Sequence, residues 1–304
     1  MELTTNQTLI TGAYGFLGSY IRRAFEQSHV PYLTLGQSDL NDIQINLAKD
    51  EPELDNRQIE RVVHAAGLAH HIPKGRNGAQ KFYDVNLEGT ENLLFSLVPI
   101  ADQLKQFIYI STVAVYGRLY GEMVNENAPL QGKSPYAQSK MYAEEQVIKW
   151  CVQYNVPGLI LRLPVVAGRN APQRIRDIIN GIERGRYLRI GDGKARKSMI
   201  LAEDLALHIL KWQGRQGIYN LTDGYHPSLF EIESYIAKQL NLDLPRSMPD
   251  WQARILSGIG DLVPGFKMHS RLYQSITSEM TFDDSKARKQ LDWKPRRVID
   301  VDWM

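Results

Sequence analysis

The segment Tyr136-Ala137-Gln138-Ser139-Lys140 sets a phenol and an ammonium four residues apart, and on a helix that spacing puts both on one face. An unperturbed tyrosine titrates near 10 and carries protons poorly at neutral pH. Bringing it to about 7 takes about 4 kcal/mol, which one positive charge about 4 Å away supplies at an effective dielectric near 20. Lys140 is therefore a candidate to make Tyr136 an acid/base, aided by an oxidised nicotinamide ring. The pentapeptide also arises on ordinary helix surfaces, so it needs company. Upstream, Phe107-Ile108-Tyr109-Ile110 runs into Ser111-Thr112-Val113-Ala114-Val115-Tyr116-Gly117. A hydroxyl at the carboxyl end of such a strand can polarise a substrate oxygen, half of what hydride transfer at a carbinol requires. The plain alternative for Ser111 and Thr112 is strand-end turn chemistry.

A second constellation, Thr11-Gly12-Ala13-Tyr14-Gly15-Phe16-Leu17-Gly18, follows the apolar strand Thr8–Ile10 and opens a helix on which Tyr20, Ile21, Ala24 and Phe25 recur at helical spacing. Strand, glycine turn and helix in that order build an anion site. Glycine lets a pyrophosphate approach without meeting a Cβ, and unpaired N–H groups at the helix start point at the charge. The spacing is G-x-x-G-x-x-G, which a purely structural turn also permits.

These residues need a scaffold, and the rest of the first half supplies one. Strands are expected at Tyr32–Leu35, Arg61–His64, Phe107–Ser111 and Gly158–Arg162, and helices at Gly18–Ser28, Phe82–Leu97 and Pro135–Tyr154. Such alternation implies a parallel sheet covered on both faces, with ligands beyond the carboxyl ends of its strands. Ser134 and Pro135 are good helix-start residues ahead of Tyr136. After Val166 the pattern loosens, Gly217–Thr222 reads as a returning strand, and Ser228-Leu229-Phe230-Glu231 has capping-box spacing before a helix to about Leu240. Residues 1–165 with about 200–225 are expected to form the dinucleotide-binding unit, and about 166–199 with 226–304 a smaller, interleaved substrate unit.

Composition narrows the classes. The 304 residues are 43% hydrophobic and 23% charged, as in an ordinary globular protein. A net charge of +2 gives no reason to expect nucleic acid or an anionic membrane as partner. Basic residues do gather between Arg162 and Lys197, as an anionic ligand or a solvated helix face would have them. The single cysteine, Cys151, reads as a buried apolar side chain. The stretch Met1–Gln7 is polar, with neither a cleavable signal nor a long apolar span, so a cytoplasmic location is the default expectation. His64, His70 and His71 fit no common zinc spacing, and no metal is expected.

Six motifs occur in one order: the glycine turn, His64-Ala65-Ala66-Gly67, Val85-Asn86-x-x-Gly89-Thr90, Ser111-Thr112-x-x-Val115-Tyr116-Gly117, Tyr136-x-x-x-Lys140 and Leu161-Arg162. Together they resemble the extended short-chain dehydrogenase/reductase family, its nucleotide-sugar epimerase and dehydratase group. The resemblance covers essentially the whole chain, since Asp283-x-Ser285-Lys286-Ala287 before Leu291-Asp292-Trp293 is similar to that family's terminal segment. It implies an α/β, Rossmann-like doubly wound parallel sheet and an NAD- or NADP-dependent enzyme. Tyr136 would be the acid/base, Lys140 would tune it and bind the nicotinamide ribose, and Thr112 would share the substrate oxygen. Gly12, Gly15 and Gly18 would hold the pyrophosphate, with Tyr14, Phe16 and Leu17 beside it. Ala65, Ala66, Gly67 and Ser111 would line the cofactor, Asn86 would support them, Pro164 would lie near the nicotinamide, and Asn46 and Leu47 would meet the adenine. Gln37 and Ser38 suit a ribose diol or a 2′-phosphate, and Asp39 stands just past the strand end, so the cofactor form stays open. Lys197, the adjacent Arg196 and Arg271 are the candidates for a substrate diphosphate.

The departures from the family pattern point to a subtype. Val113-Ala114 offers neither the acidic pair of the dehydratases nor the lone glutamate of the decarboxylases, and resembles 4-epimerases and 4-ketoreductases. Val165 stands where many members contact substrate with asparagine. The expected substrate is a nucleotide sugar, UDP-linked and an amino- or deoxysugar by inclination. The rivals are a reductase of an uncharged ketone, which the basic run from Arg169 to Lys197 disfavours, and a non-catalytic dinucleotide sensor, which would not keep both Tyr136 and Lys140. The resemblance also implies a homodimer paired through Phe82–Leu97 and Pro135–Tyr154, the second offering Met141, Glu145, Ile148 and Val152.

Overall fold

The computed structural model describes residues 7–69, 75–263 and 268–304; His70, His71 and the first six residues lie outside these. The chain opens with β1 (Gln7–Thr11), α1 (Phe16–Gln27), β2 (Tyr32–Gly36), β3 (Ile43–Gln44), β4 (Ile59–His64) and α2 (Gly75–Tyr83). A π-helical turn at Asp84–Glu88 leads into α3 (Gly89–Ser96), then β5 (Gln106–Thr112), β6 (Gly121–Val124), α4 (Pro135–Gln153), β7 (Gly158–Leu163) and β8 (Val165–Ala167). Next come α5 (Gln173–Glu183), β9 (Arg189–Ile190), β10 (Met199–Leu201), α6 (Ala202–Lys211), β11 (Gly217–Asn220) and α7 (Leu229–Gln239). The chain finishes with β12 (Ser247–Met248), α8 (Asp250–Leu262), α9 (Ser270–Thr277), β13 (Met280–Phe282) and α10 (Ser285–Leu291).

Seven strands pair in the order β11-β7-β5-β4-β1-β2-β3, every pair parallel. The chain winds outward from β1 in both directions, so the carboxyl ends of β1 and β4 flank the point where the strand order reverses. Alternation along each strand feeds two cores. Leu9, Val62 and Phe107 pack with Leu93, Val147 and Trp150 of α3 and α4 on one face. Ile10, Val63 and Ile108 pack with Ile21 and Phe25 of α1 and Leu205 and Ile209 of α6 on the other. This is a Rossmann-like, doubly wound α/β fold.

Two expected elements differ in detail. The helix expected at Phe82–Leu97 begins earlier, at Gly75, and is broken by the π-turn. Its apolar periodicity starts only at Phe82, so the polar first turns carry no amphipathic signal. The returning strand stops at Asn220, two residues short of Thr222. The capping box at Ser228 is present in full, with Glu231 bonded back to the Ser228 amide and hydroxyl. Outside the main sheet, short parallel ladders join β8 to β10, β9 to β12 and β6 to β13.

A buried ion pair ties the layers together. Arg162 on β7 holds Glu144 on α4, with Nε 3.2 Å from both carboxylate oxygens and Nη2 2.7 Å from Oε2. The side chains are 4% and 2% exposed. Nη1 donates to the Tyr116 hydroxyl at 3.0 Å, which donates to Asn220 Oδ1 at 2.7 Å. The Asn220 amide then donates to the Val124 carbonyl at 3.0 Å, linking α4, β7, β11 and β6. Removing one partner of such a pair leaves an uncompensated charge. Arg162→Leu is expected to cost about 3–5 kcal/mol, read as a lower urea midpoint, whereas Glu144→Gln with Arg162→Met costs less. An unchanged midpoint for Arg162→Leu would contradict this.

Candidate active site

The glycine turn is closed so tightly that side chains are excluded. Gly12 has φ +69°, and a Cβ there would lie 2.7 Å from the Ala66 backbone. A Cβ on Gly18 would lie 2.0 Å from the Gly12 carbonyl oxygen. Gly15 caps α1 without a side-chain bond, and the first turn carries no acidic residue. The amides at the start of α1 are thus left to an outside anion. Phe16 packs edge-on to Tyr20, and Leu17 packs on the second core. Tyr14 reaches across to the loop after β2, its hydroxyl donating to the Leu40 carbonyl at 2.6 Å, with the Arg22 guanidinium 5.2 Å from its ring.

His64 fastens the neighbouring strand end. Thr90 gives its hydroxyl proton to the Asn86 carbonyl at 2.7 Å, so it accepts from His64 Nε2, 2.9 Å away. The Nδ1 atom then accepts from Thr11 Oγ1 at 2.6 Å, and that hydroxyl accepts from the Ala66 amide at 3.1 Å. Burial, with Lys140 adding to it, lowers His64 to about 3 and keeps it neutral. Both its ring nitrogens are spent on hydroxyls.

Beyond β4 the chain runs through Ala65, Ala66 and Gly67. A Cβ on Gly67 would meet Asn86 Oδ1 at 3.2 Å and Lys140 Nζ at 4.0 Å, so this backbone borders the Lys140 ammonium. Asn86, on the π-turn, accepts from the Leu68 amide at 2.7 Å and donates to the Leu68 carbonyl and Ser139 Oγ. It clamps the post-β4 segment to α4, and a π-turn at such a point is characteristic of functional positions. Near β2, Asn46 accepts from Gln37 Nε2 at 2.9 Å, and Leu47 is buried with its carbonyl held by Asn92. Asp39 is exposed and paired with Ser38, while Asp42 turns back onto Thr34.

Helix α4 starts where expected. Ser134 Oγ accepts from the Ala137 amide at 3.1 Å and Pro135 occupies the first turn, which fixes Tyr136 at the helix entrance. The Tyr136 ring lies 5.8 Å from that of Phe82. Burial lifts its phenol above the ordinary tyrosine value, and a hydrogen bond with Thr112 opposes this. Lys140 is 5% exposed; its Nζ donates to the Ile110 carbonyl at 2.7 Å and sits 4.0 Å from the Tyr109 ring centroid. Burial pulls its pKa down to about 7, with Glu144 resisting. Thr112 also accepts from the Ala114 amide at 3.2 Å, capping the 3-10 turn Val113–Tyr116. Ser111 donates to Glu144, so its hydroxyl is turned into the ion pair. Pro164 joins β7 to β8, and Val165 beside it is 38% exposed.

The substrate-side candidates are engaged with backbone. Lys197 Nζ donates to the Ser275 carbonyl at 2.9 Å and to that of Ser278, in the last turn of α9 and just past it. A cation at a helix carboxyl end is well placed electrostatically. Burial lowers Lys197 to about 8, with Glu279 opposing. Arg196 donates to the Tyr225 and His226 carbonyls. Arg271 lies exposed on α9, the helix that Lys197 grips. The pair Glu144–Arg162 has no assigned role in the sequence reading. Its only local signals are a glutamate four residues beyond Lys140 and an arginine inside the apolar run Leu159–Leu163.

The glycine turn yields a graded expectation. Gly18→Ala must displace backbone, whereas Gly15→Ala would place its Cβ 3.2 Å from the Gly12 carbonyl and needs only a small shift. Dinucleotide affinity measured by calorimetry should fall roughly tenfold or more for Gly18→Ala, and less for Gly15→Ala.

Comparison with known proteins agrees with this fold. The family model described as NAD dependent epimerase/dehydratase family matches residues 8–221. The N-acetyl-alpha-D-glucosaminyl-diphospho-ditrans,octacis-undecaprenol 4-epimerase of Escherichia coli O157:H7 is 26% identical over 266 residues, covering 83% of this chain and 78% of that protein. The GDP-6-deoxy-D-mannose reductase of Pseudomonas aeruginosa is 24% identical over 315 residues, covering 96% and 98%. Among solved structures, the UDP-glucuronic acid 4-epimerase from Bacillus cereus in complex with NAD superposes with a TM-score of 0.75 at 20% identity, covering 96% of this chain and 94% of that one. With the family match spanning more than half of its residues, this chain is an NAD(P)-dependent enzyme belonging to the NAD dependent epimerase/dehydratase family.

Proposed function

We propose that the protein exchanges a hydride at C4 of a nucleoside-diphosphate sugar, as a 4-epimerase or a 4-ketoreductase, with a UDP-linked amino- or deoxysugar as the preferred substrate class. One observation carries this reading: Tyr136 stands beside Thr112 with Lys140 one turn behind, and the adjoining Val113–Ala114 turn carries no acid. The buried carboxylate on α4, Glu144, is committed to Arg162 and Ser111. Proton and hydride exchange at a carbinol needs one acid/base and one oxygen-binding hydroxyl; elimination of water needs a further acid. When bound, the dinucleotide supplies the two-electron acceptor or donor. Tyr136 Oη takes the proton from the sugar O4 hydroxyl on oxidation and returns it on reduction. Thr112 Oγ1 holds the same oxygen, and Lys140 supplies the positive charge that favours the phenolate. The relatives include one named for 4-epimerisation and one named for reduction, which supports keeping both outcomes.

Tyr136→Phe should lower turnover by about a hundredfold to ten-thousandfold while leaving dinucleotide binding nearly intact, and Thr112→Val should lose less. The assay offers UDP-hexoses, UDP-4-keto sugars and an uncharged ketone. Stoichiometric loss of reduced dinucleotide identifies a reductase; interconversion of C4 epimers without net redox change identifies an epimerase. Turnover of the uncharged ketone alone overturns the substrate class.

The same reading includes a homodimer through α3 and α4. These helices leave Phe95, Tyr142, Ile148 and Val152 exposed, at 64%, 46%, 41% and 77%. Ile148 and Val152 are one turn apart and share a face. Sedimentation at low micromolar concentration should give a dimer, and Ile148→Asp with Val152→Asp a monomer. Only monomer in the unsubstituted protein would refute the pairing.

A further inference from the structure

The last three residues of β5 meet three residues of α4, one each. The Ile110 carbonyl accepts from Lys140, the Ser111 hydroxyl donates to Glu144, and Thr112 bonds Tyr136. Two of those three α4 residues are the proton carrier and its cation. The third, Glu144, is the site's buried anion, 2% exposed and unable to swing because Ser111 and the Arg162 fork hold both its oxygens. We propose that Glu144 is a positioning residue for the Tyr136/Lys140 pair, its carboxylate being the counter-charge that keeps the Lys140 ammonium protonated one helical turn away. This rests on the proton-carrier reading given above.

The charge inventory around Lys140 carries the inference. From β4 it faces His64, which is neutral; from the π-turn, the amide Asn86; from β5, the Tyr109 ring and the Ile110 carbonyl. From β7 comes the Arg162 guanidinium behind Glu144, and from its own helix Tyr136 and Glu144. Formal charges are therefore two cations and one anion, all buried. Take away the anion and two cations share one desolvated space. Arginine does not surrender its proton in proteins, so the lysine must. A purely mechanical bolt between helix and sheet would need the Arg162 fork but would leave the charge of Lys140 indifferent to it.

The test needs no sugar substrate. The protein is saturated with NAD, or with NADP if that binds more tightly, and ionisation of Tyr136 is followed as tyrosinate ultraviolet absorbance against pH. Each protein is measured against its own Tyr136→Phe counterpart. Glu144→Gln should move the Tyr136 step to higher pH by about one unit or more, a tenfold change in the proton equilibrium. Lys140→Met should move it in the same direction. If Lys140→Met leaves the step in place, the proton-carrier reading itself fails. If Lys140→Met moves the step and Glu144→Gln does not, the role given to Glu144 is overturned alone. Should Glu144→Gln lose dinucleotide binding, Glu144→Gln with Arg162→Met removes both charges and strands neither; with Arg162 lying behind Glu144, an alkaline shift in the same direction but smaller is expected. Loss of binding in that variant too would make Glu144 a structural residue and overturn the proposal.

Discussion

The desolvated contact between Arg162 and Glu144 is the constraint around which the active half of the molecule is arranged. A charge pair out of water tolerates few geometries, since every lone pair and N–H left over is penalised. Here the fork is completed by Ser111, Tyr116 and Asn220, which belong to three further parts of the chain. The register of α4 on the sheet is thereby set to a single value. Because Tyr136 and Lys140 lie on the same face of α4 as Glu144, that register also sets where the phenol and ammonium stand relative to the end of β5. A slip of one residue would break the ion pair and displace the phenol together.

What could be read from the residues beforehand was whatever is decided locally. Gly12 and Gly18 announce a turn that only glycine can make, and the structure shows backbone where their side chains would be. Ser134 and Pro135 mark the start of α4, and the alternation of apolar residues along β1, β4 and β5 marks strands that feed two cores. The features that escaped are those made by chain segments far apart. Glu144 and Arg162 are 18 residues apart, and no spacing rule joins a helix residue to a strand residue at that distance. The π-turn that presents Asn86 cannot be told from an ordinary helix by periodicity, because it shifts the pattern by one residue within a single turn.

The basic run between Arg162 and Lys197 shows why charge alone is an incomplete guide to ligands. Several of its members answer to the protein itself, among them Arg162 to Glu144, Arg189 to Glu233, and Lys197 to the carbonyls ending α9. Arg196 likewise spends its donors on the loop after β11. Cations that hold carbonyls stay charged and in place, so they still shape the field above the carboxyl ends of the strands. Their first duty is nevertheless to fix α9 and the loop at 223–228 against the sheet.

The ladder between β6 and β13 bears on how the molecule is made. Gly121 pairs with Met280, and Lys197 forms a bridge to the same Met280. A nascent chain emerging from the ribosome can complete the glycine turn, α4 and β7 long before Met280 exists. The second core of the sheet nevertheless waits for the end of the chain, since Ala287, Leu291 and Trp293 pack in it with Ile10 and Val63. Closing a loop of that length costs little more entropy than closing one half as long, about 0.6 kcal/mol per doubling. The delay is one of time and order, not of stability, and contacts so distant in sequence are slow to form. The β6–β13 ladder thus closes only after all seven strands of the main sheet have been synthesised.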